Sequence, residues 1–266
     1  MTKPASSLYC GNHLDIGNKI ASSIDRGCQL STHRPLVFFR ADDIGIPSLG
    51  FQQLIECFIK HKLPLCLATV PAWLTETRLK QLQRITGANN SQWYWHQHGR
   101  VHRNFEKAGK KQEFGPARTR DDIQNSVSKG RERLEQLLEK DFHPVFTPPW
   151  NRCSSDTLQS LADLGFKAVS RSRGARPETL YNLPDFQVNV DLHTRKEVEP
   201  QLALDNFLIE IEESLASGLC GIMIHHQRMN GPALELLDIF LGMIKRNRNL
   251  LSVTFGDLTA PIEPHN

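Results

Sequence analysis

Short apolar runs recur along the chain, each followed by a longer stretch in which apolar residues return with helical period. The runs at 35–40, 63–70, 92–97, 143–147, 166–170, 186–190 and 220–225, with a last one at 250–255, read as strands. Between them, 48–61, 120–140, 154–165, 202–217 and 232–245 read as amphipathic helices. Strand alternating with helix is the sequence form of a parallel sheet with crossover helices, and seven or eight such units suit an α/β barrel. Residues 1–30 read as an N-terminal extension, partly helical, and 31–262 as one domain, because no linker or internal repeat divides it.

Two irregular stretches, 99–118 and 171–185, interrupt the alternation. Long loops inside a compact domain are more often functional than idle, so both are expected to wall a site. The first holds most of a basic run: Arg100, Arg103, Lys107, Lys110, Lys111, Arg118 and Arg120 face only Glu106 and Glu113. That run is either a solvated loop or a rim that attracts an anionic substrate. Nucleic acid is not the expected partner, because the formal charge is only +3 and no aromatic residues interleave the run to stack on bases.

With 39% hydrophobic and 23% charged residues the chain can bury a sizeable core. It has neither the apolar segment of a secretory signal near its start nor a stretch of about 18 apolar residues for a transmembrane span. A cytoplasmic location is therefore expected. The six cysteines are scattered without a CxxC pair, which favours free thiols over a disulfide frame or a zinc knuckle.

The polar residues that carry chemistry collect at the C-terminal ends of the expected strands. Asp42 and Asp43 follow the first, His96, His98 and His102 the third, Pro149 and Trp150 the fourth, Asp191 the sixth, and His225 and His226 the seventh. In a parallel barrel these ends share one face, where active sites sit. His98 and His102 are four apart, so a helical turn or one of similar compactness aims both imidazoles one way, and Asp42 or Asp43 would complete a three-ligand metal site. Alternation puts His96 on the same face as His98 but deeper, where it can hydrogen-bond a ligand. Other readings stay open: the aspartates can cap a turn, the histidines can be structural, and Pro-Pro-Trp can be packing. Asp191 can hold a neighbouring histidine protonated by its charge.

Taken in order, "FFRADDIG", "QHGRVH", "FTPPWN", "VNVDLH" and "GIMIHH" resemble the motifs of the polysaccharide deacetylases, the NodB-homology group also called carbohydrate esterase family 4. The resemblance covers roughly residues 35–258 and is nearest to a divergent branch with "HG-x-x-H-x-N", "EFG" and "PPWN" patterns, read here as cytoplasmic. It implies a distorted (β/α) barrel of about seven parallel strands and metal-dependent removal of an N-acetyl group from an amino sugar or glycan precursor. By that resemblance Asp42 is the general base, and Asp43, His98 and His102 hold a divalent ion, commonly zinc. His225 is the general acid, with His226 the second choice. The family's third motif usually opens with an arginine that orients the base; Thr147 stands there, and Arg40, two residues before Asp42, is the candidate to supply that charge.

A small-molecule, oligosaccharide or lipid-linked glycan substrate follows from this reading and from the cytoplasmic expectation. Two alternatives remain: hydrolysis of another C–N bond, such as a cyclic amide, or carbohydrate binding without catalysis on the same fold.

Overall fold

The computed structural model describes residues 6–11, 15–87 and 90–260. Parts of the expected N-terminal extension (1–5 and 12–14) and the end of the expected domain (261–262) lie outside the described residues. The elements run α1 (Ile16–Leu30), β1 (Leu36–Ile44), α2 (Leu49–His61), β2 (Leu65–Thr69), α3 (Glu76–Thr86), β3 (Trp93–His98), α4 (Arg120–Leu138) and β4 (Phe142–Thr147). They continue with α5 (Ser155–Asp163), β5 (Ala168–Val169), β6 (Val190–Asp191), α6 (Pro200–Ala216), β7 (Leu219–Ile224), α7 (Gly231–Arg246), β8 (Leu251–Ser252) and α8 (Phe255–Thr259).

Seven parallel strands, in the order β5-β4-β3-β2-β1-β7-β6, curl into a half-barrel, and β8 pairs with the start of β1. Between the edges β5 and β6, residues 185–188 make only isolated bridges, Val169 with Asp185 and Ser172 with Val188. Backbone bonds from Val188 to Arg171 and from Asn189 to Gly221 carry the chain across the gap. Closure by single bridges instead of a full ladder is what distorts the barrel. The runs expected as strands at 166–170, 186–190 and 250–255 pair in the sheet only over Ala168–Val169, Val190–Asp191 and Leu251–Ser252.

Period-two alternation sorts side chains between two cores. Val37, Phe39 and Ala41 of β1 join Leu65 and Leu67 of β2, Trp93 and Trp95 of β3, and Cys220, Ile222 and Ile224 of β7 under the helices. The intervening Phe38, Cys66, Tyr94, Val145 and Met223 fill the barrel interior with Phe186 and Phe255. Full burial of such side chains contributes roughly 1.5–3 kcal/mol each. Continuing the interior column toward the strand ends gives Phe38–Arg40–Asp42 on β1, Tyr94–His96–His98 on β3 and Gly221–Met223–His225 from β7 onward. The interior thus turns from apolar to ionisable as it nears the C-terminal face.

Helix α1 lies against α6, with Arg26 paired to Glu212 at 2.7 Å. Helix α3 escapes the sequence reading because it buries only Leu79, Leu82 and Thr86; Thr75 caps it by accepting from the Arg78 N–H. No helix among the described residues is long and apolar enough to cross a membrane.

Candidate active site

Strand β1 runs through both aspartates before it ends, and its register with β2 shifts between Ala41 and Ile44. By alternation Asp43 would point toward the helices. Instead it takes φ +65°, a left-handed conformation that the irregularity allows, and both carboxylates line one cavity. The unusual backbone is the reason two adjacent aspartates serve one site.

His98 ends β3 in the barrel interior, and its Nδ1 donates to the Thr147 carbonyl at 3.0 Å, which leaves Nε2 as the lone-pair nitrogen. His102 is reached by a turn and not by a helix, with Gly99 at φ +57° and His102 at φ +54°. A Cβ at Gly99 would stand 2.5 Å from Glu113 Oε2 and 2.6 Å from Pro149 Cγ, so that position needs glycine.

Glu113 is wholly buried and accepts from three successive backbone N–H groups, those of Arg100, Val101 and His102, at 3.0, 2.9 and 2.9 Å. Burial raises its pKa above the usual carboxylate value, against the opposing pull of those three N–H groups. Asn104 closes the same loop by accepting from the Glu106 and Gln112 N–H groups. The "HG-x-x-H-x-N" and "EFG" patterns are therefore a loop and its clamp. The His102 ring is flanked by Trp150 and Trp73, at centroid distances of 4.7 and 5.4 Å.

Nε2 of His98 and Nε2 of His102 lie 3.3 and 3.1 Å from Asp43 Oδ1. Asp43 Oδ1 is buried and has no hydrogen-bond partner of good geometry. Two imidazole nitrogens converging on an orphaned carboxylate oxygen, all within 4.8 Å, fit a cation and leave the cluster poorly satisfied without one. A second cluster, Cys57, His61 and Asp238, is different in kind, because Lys60 Nζ already binds both Asp238 oxygens at 2.8 and 2.7 Å.

Arg40 is fully buried and grips Asp42 with two parallel bonds, Nε to Oδ1 at 2.8 Å and Nη2 to Oδ2 at 2.9 Å. Its Nη1 is held by the Ser170 hydroxyl and carbonyl, and Nη2 also reaches Asn151 Oδ1 at 2.7 Å. Burial pushes the Asp42 pKa up, but Arg40, His98 and His225 together hold it below the ordinary value. His225 Nε2 stands 4.0 Å from Asp42 Oδ2 and lines the cavity, whereas His226 is buried, edge-on to Phe51.

Two sequence expectations change, and of the two readings of the basic run one remains. His96 does not bond a candidate ligand directly: its Nε2 meets the Thr147 hydroxyl at 3.0 Å, and Thr147 in turn holds His98 through its carbonyl. Asp191 lies on the cavity wall, but its carboxylate is taken by the His193 and Thr194 N–H groups and the Thr194 hydroxyl. It forms no ion pair with His225 or His226; the contact made there is the His225 N–H to His193 Nδ1, at 3.3 Å. The basic run 100–120 does not rim this cavity. Arg118 stacks on Phe105 at 4.6 Å and donates to the Glu113 carbonyl, so that side chain braces the loop.

The cavity, about 560 Å³, is walled by Asp42, Asp43, His98, His102 and His225, with Trp150 and Asn151 from the turn after β4 and Ser172 from the second irregular stretch. Pro149 is buried behind it, against Gly99. Trp150 and Asn151 both take positive φ, 58° and 59°, which turns the ring into the cavity and the amide toward Arg40.

No protein-family model matches the chain, and no curated protein does. Solved structures do. A proposed polysaccharide deacetylase from Mycobacterium smegmatis superposes with a TM-score of 0.62 at 13% identity, over 84% of this chain and 88% of that one. A family 4 acetyl xylan esterase from Clostridium thermocellum, in complex with a cobalt ion, gives 0.55 at 14% identity, over 84% and 89%. A carbohydrate esterase family 4 pseudoenzyme from Bacillus anthracis gives 0.54 at 14% identity, over 83% and 64%. The fold is that of the NodB-type polysaccharide deacetylases, a distorted (β/α) barrel.

Proposed function

We propose that the chain is a divalent-metal-dependent deacetylase acting on an N-acetylated amino sugar, with Asp43, His98 and His102 as the metal ligands. The observation that supports it best is convergence: these three groups, Asp42 and His225 come from three strand ends and line one cavity. The cobalt complex of the acetyl xylan esterase is consistent with a divalent ion on this fold. When bound, such an ion supplies Lewis acidity, lowering the pKa of a coordinated water and polarising an acyl oxygen; zinc suits a two-histidine, one-carboxylate set.

The protein's own groups supply the proton transfers. Asp42, kept ionised by Arg40, accepts the proton of the attacking water. His225, within 4.0 Å of Asp42, delivers a proton to the leaving amine nitrogen. Arg40 takes the place left by Thr147 in the third motif, since it orients the base from the same strand. Trp150 offers a flat face against which a sugar ring can stack. The fold also carries a pseudoenzyme; what favours catalysis here is that Asp42, Arg40, His225 and the Asp43–His98–His102 cluster lie together in a geometry suited to those roles.

Acetate release from N-acetylated amino sugars by metal-loaded protein tests the proposal. Wild type is expected to turn over and Asp42→Asn to retain metal without turnover. Release from none of the sugars, with hydrolysis of cyclic amides in the same panel, would move the activity to another C–N bond; hydrolysis of neither would leave the binding-protein reading.

A further inference from the structure

The cavity mouth carries three cations that the chemistry above leaves unused. Arg152 comes from the turn after β4, Lys196 from the loop after β6, and Arg228 from the short turn after His225. None has a carboxylate within 4.0 Å among the described residues; Arg152 Nη1 donates to the Lys111 carbonyl at 3.4 Å.

The acids nearby are already taken. Asp42 is held by Arg40, and Asp43 faces the two histidines. Asp191 is bonded to Thr194, and Glu197 beside Lys196 is paired with Arg195. Elsewhere Arg26, Arg120 and Arg131 are paired with Glu212, Asp163 and Glu135, and arginines without a carboxylate, such as Arg34 and Arg133, bond backbone carbonyls at 2.9 and 2.8 Å.

Arg152 and Arg228 are half-buried, so each has lost part of its hydration without a compensating ion pair. Three such charges, from three separate loops, converge on one opening. A single carboxylate would satisfy one guanidinium fork. A group with several charged oxygens can meet all three, and phosphate is the group that arginine forks and a lysine point charge recognise together.

We infer that the mouth formed by Arg152, Lys196 and Arg228 binds a phosphate or diphosphate ester carried by the acylated amino sugar. For the sugar end the inference rests on the deacetylase reading; the anion site stands on its own residues. The sugar would lie over Trp150 with its amide toward Asp42 and its phosphate outward. The anionic rim thus lies not on the 100–120 loop, one option the sequence left open, but on the loops that follow β4, β6 and β7.

Calorimetric titration of metal-loaded full-length protein tests it, with N-acetylglucosamine, N-acetylglucosamine 1-phosphate, a nucleoside-diphosphate N-acetylglucosamine and pyrophosphate as probes. The sugar phosphate is expected to bind at least about tenfold more tightly than the neutral sugar, with the advantage shrinking as salt rises. Arg152→Gln/Arg228→Gln should erase that advantage while leaving the neutral sugar's affinity unchanged, and Lys196→Gln should lower it in part. The nucleotide sugar binding more tightly than the 1-phosphate would identify a diphosphate as the group recognised; equal binding would identify a monophosphate.

No preference for the phosphorylated sugar, or no binding of it or of pyrophosphate, would overturn the inference. So would a preference that survives in the double variant, since the phosphate would then be held by another group, such as the metal. Acetate release is read separately. A phosphate preference without acetate release removes the deacetylase reading alone, and acetate release without a phosphate preference removes the anion site alone.

Discussion

Arg40 and Asp42 stand two residues apart on β1, both aimed into the barrel, and are joined by parallel hydrogen bonds of 2.8 and 2.9 Å. Removing the guanidinium leaves a buried carboxylate without a partner. Arg40→Gln is therefore expected to cost about 3–5 kcal/mol of stability. In the protein that still folds, the acid limb of the pH–kcat/KM profile should move to higher pH, because Asp42 loses the charge that favours its ionised form. Urea unfolding and the pH profile check the two parts; an unmoved acid limb would show that Arg40 does not tune the base.

Glu113 fixes the loop that carries His102 without touching the proposed metal. Glu113→Ala should lower metal affinity by about 10–100-fold, since three backbone N–H groups lose their common acceptor and His102 loses its position. Competition titration with a chelating dye reads this. Unchanged affinity would mean that the positive-φ turn holds His102 by itself.

Thr147 has two separable roles, its hydroxyl meeting His96 and its carbonyl holding His98. Burial pushes His96 down to about 3, so it is neutral at ordinary pH. Thr147→Val deletes the hydroxyl and keeps the carbonyl. It should cost about 1–3 kcal/mol of stability by leaving a buried ring nitrogen unpaired, while metal stoichiometry stays at the wild-type value. Loss of metal in this variant would place the hydroxyl, not the carbonyl, in control of His98.

His193 and His226 are buried, and desolvation lowers their pKa values to about 3 and about 4. An unfolded chain would protonate both near the ordinary value of about 6.5. The stabilisation is therefore fully present above that pH and is lost as pH falls from about 6.5 toward 4, with each histidine removing on the order of 1 kcal/mol per pH unit. Urea midpoints between pH 7 and 5 should show the decline, and His193→Asn should make it shallower without abolishing it, since His96 and His226 still contribute. A midpoint constant over that range would contradict the burial argument.

The alternation of β-rich runs and helical periods made most of the sheet legible, because buried parallel strands are nearly continuous apolar segments. Short strands such as β5 and β6 were overestimated, since apolar content does not reveal where pairing stops. The positions of Asp42, His98, His102 and His225 at one face followed from parallel topology alone. Arg40 stood out because Thr147 fills the third motif's arginine position and Arg40 lies two residues before Asp42; its two-bond grip on that carboxylate is a tertiary fact. Trp73 and the mouth cations gave no such sign, because they come from loops whose paths depend on positive-φ turns and clamps. Glu113 was visible only as part of "EFG"; its three backbone partners are a tertiary fact.

The central claim is that Asp43, His98 and His102 form a divalent-metal centre. Elemental analysis of protein purified without added metal, wild type beside His98→Ala/His102→Ala, tests it directly. One equivalent of zinc or a similar divalent ion is expected in the wild type and none in the double variant. No metal in the wild type, and none taken up on titration, would contradict it.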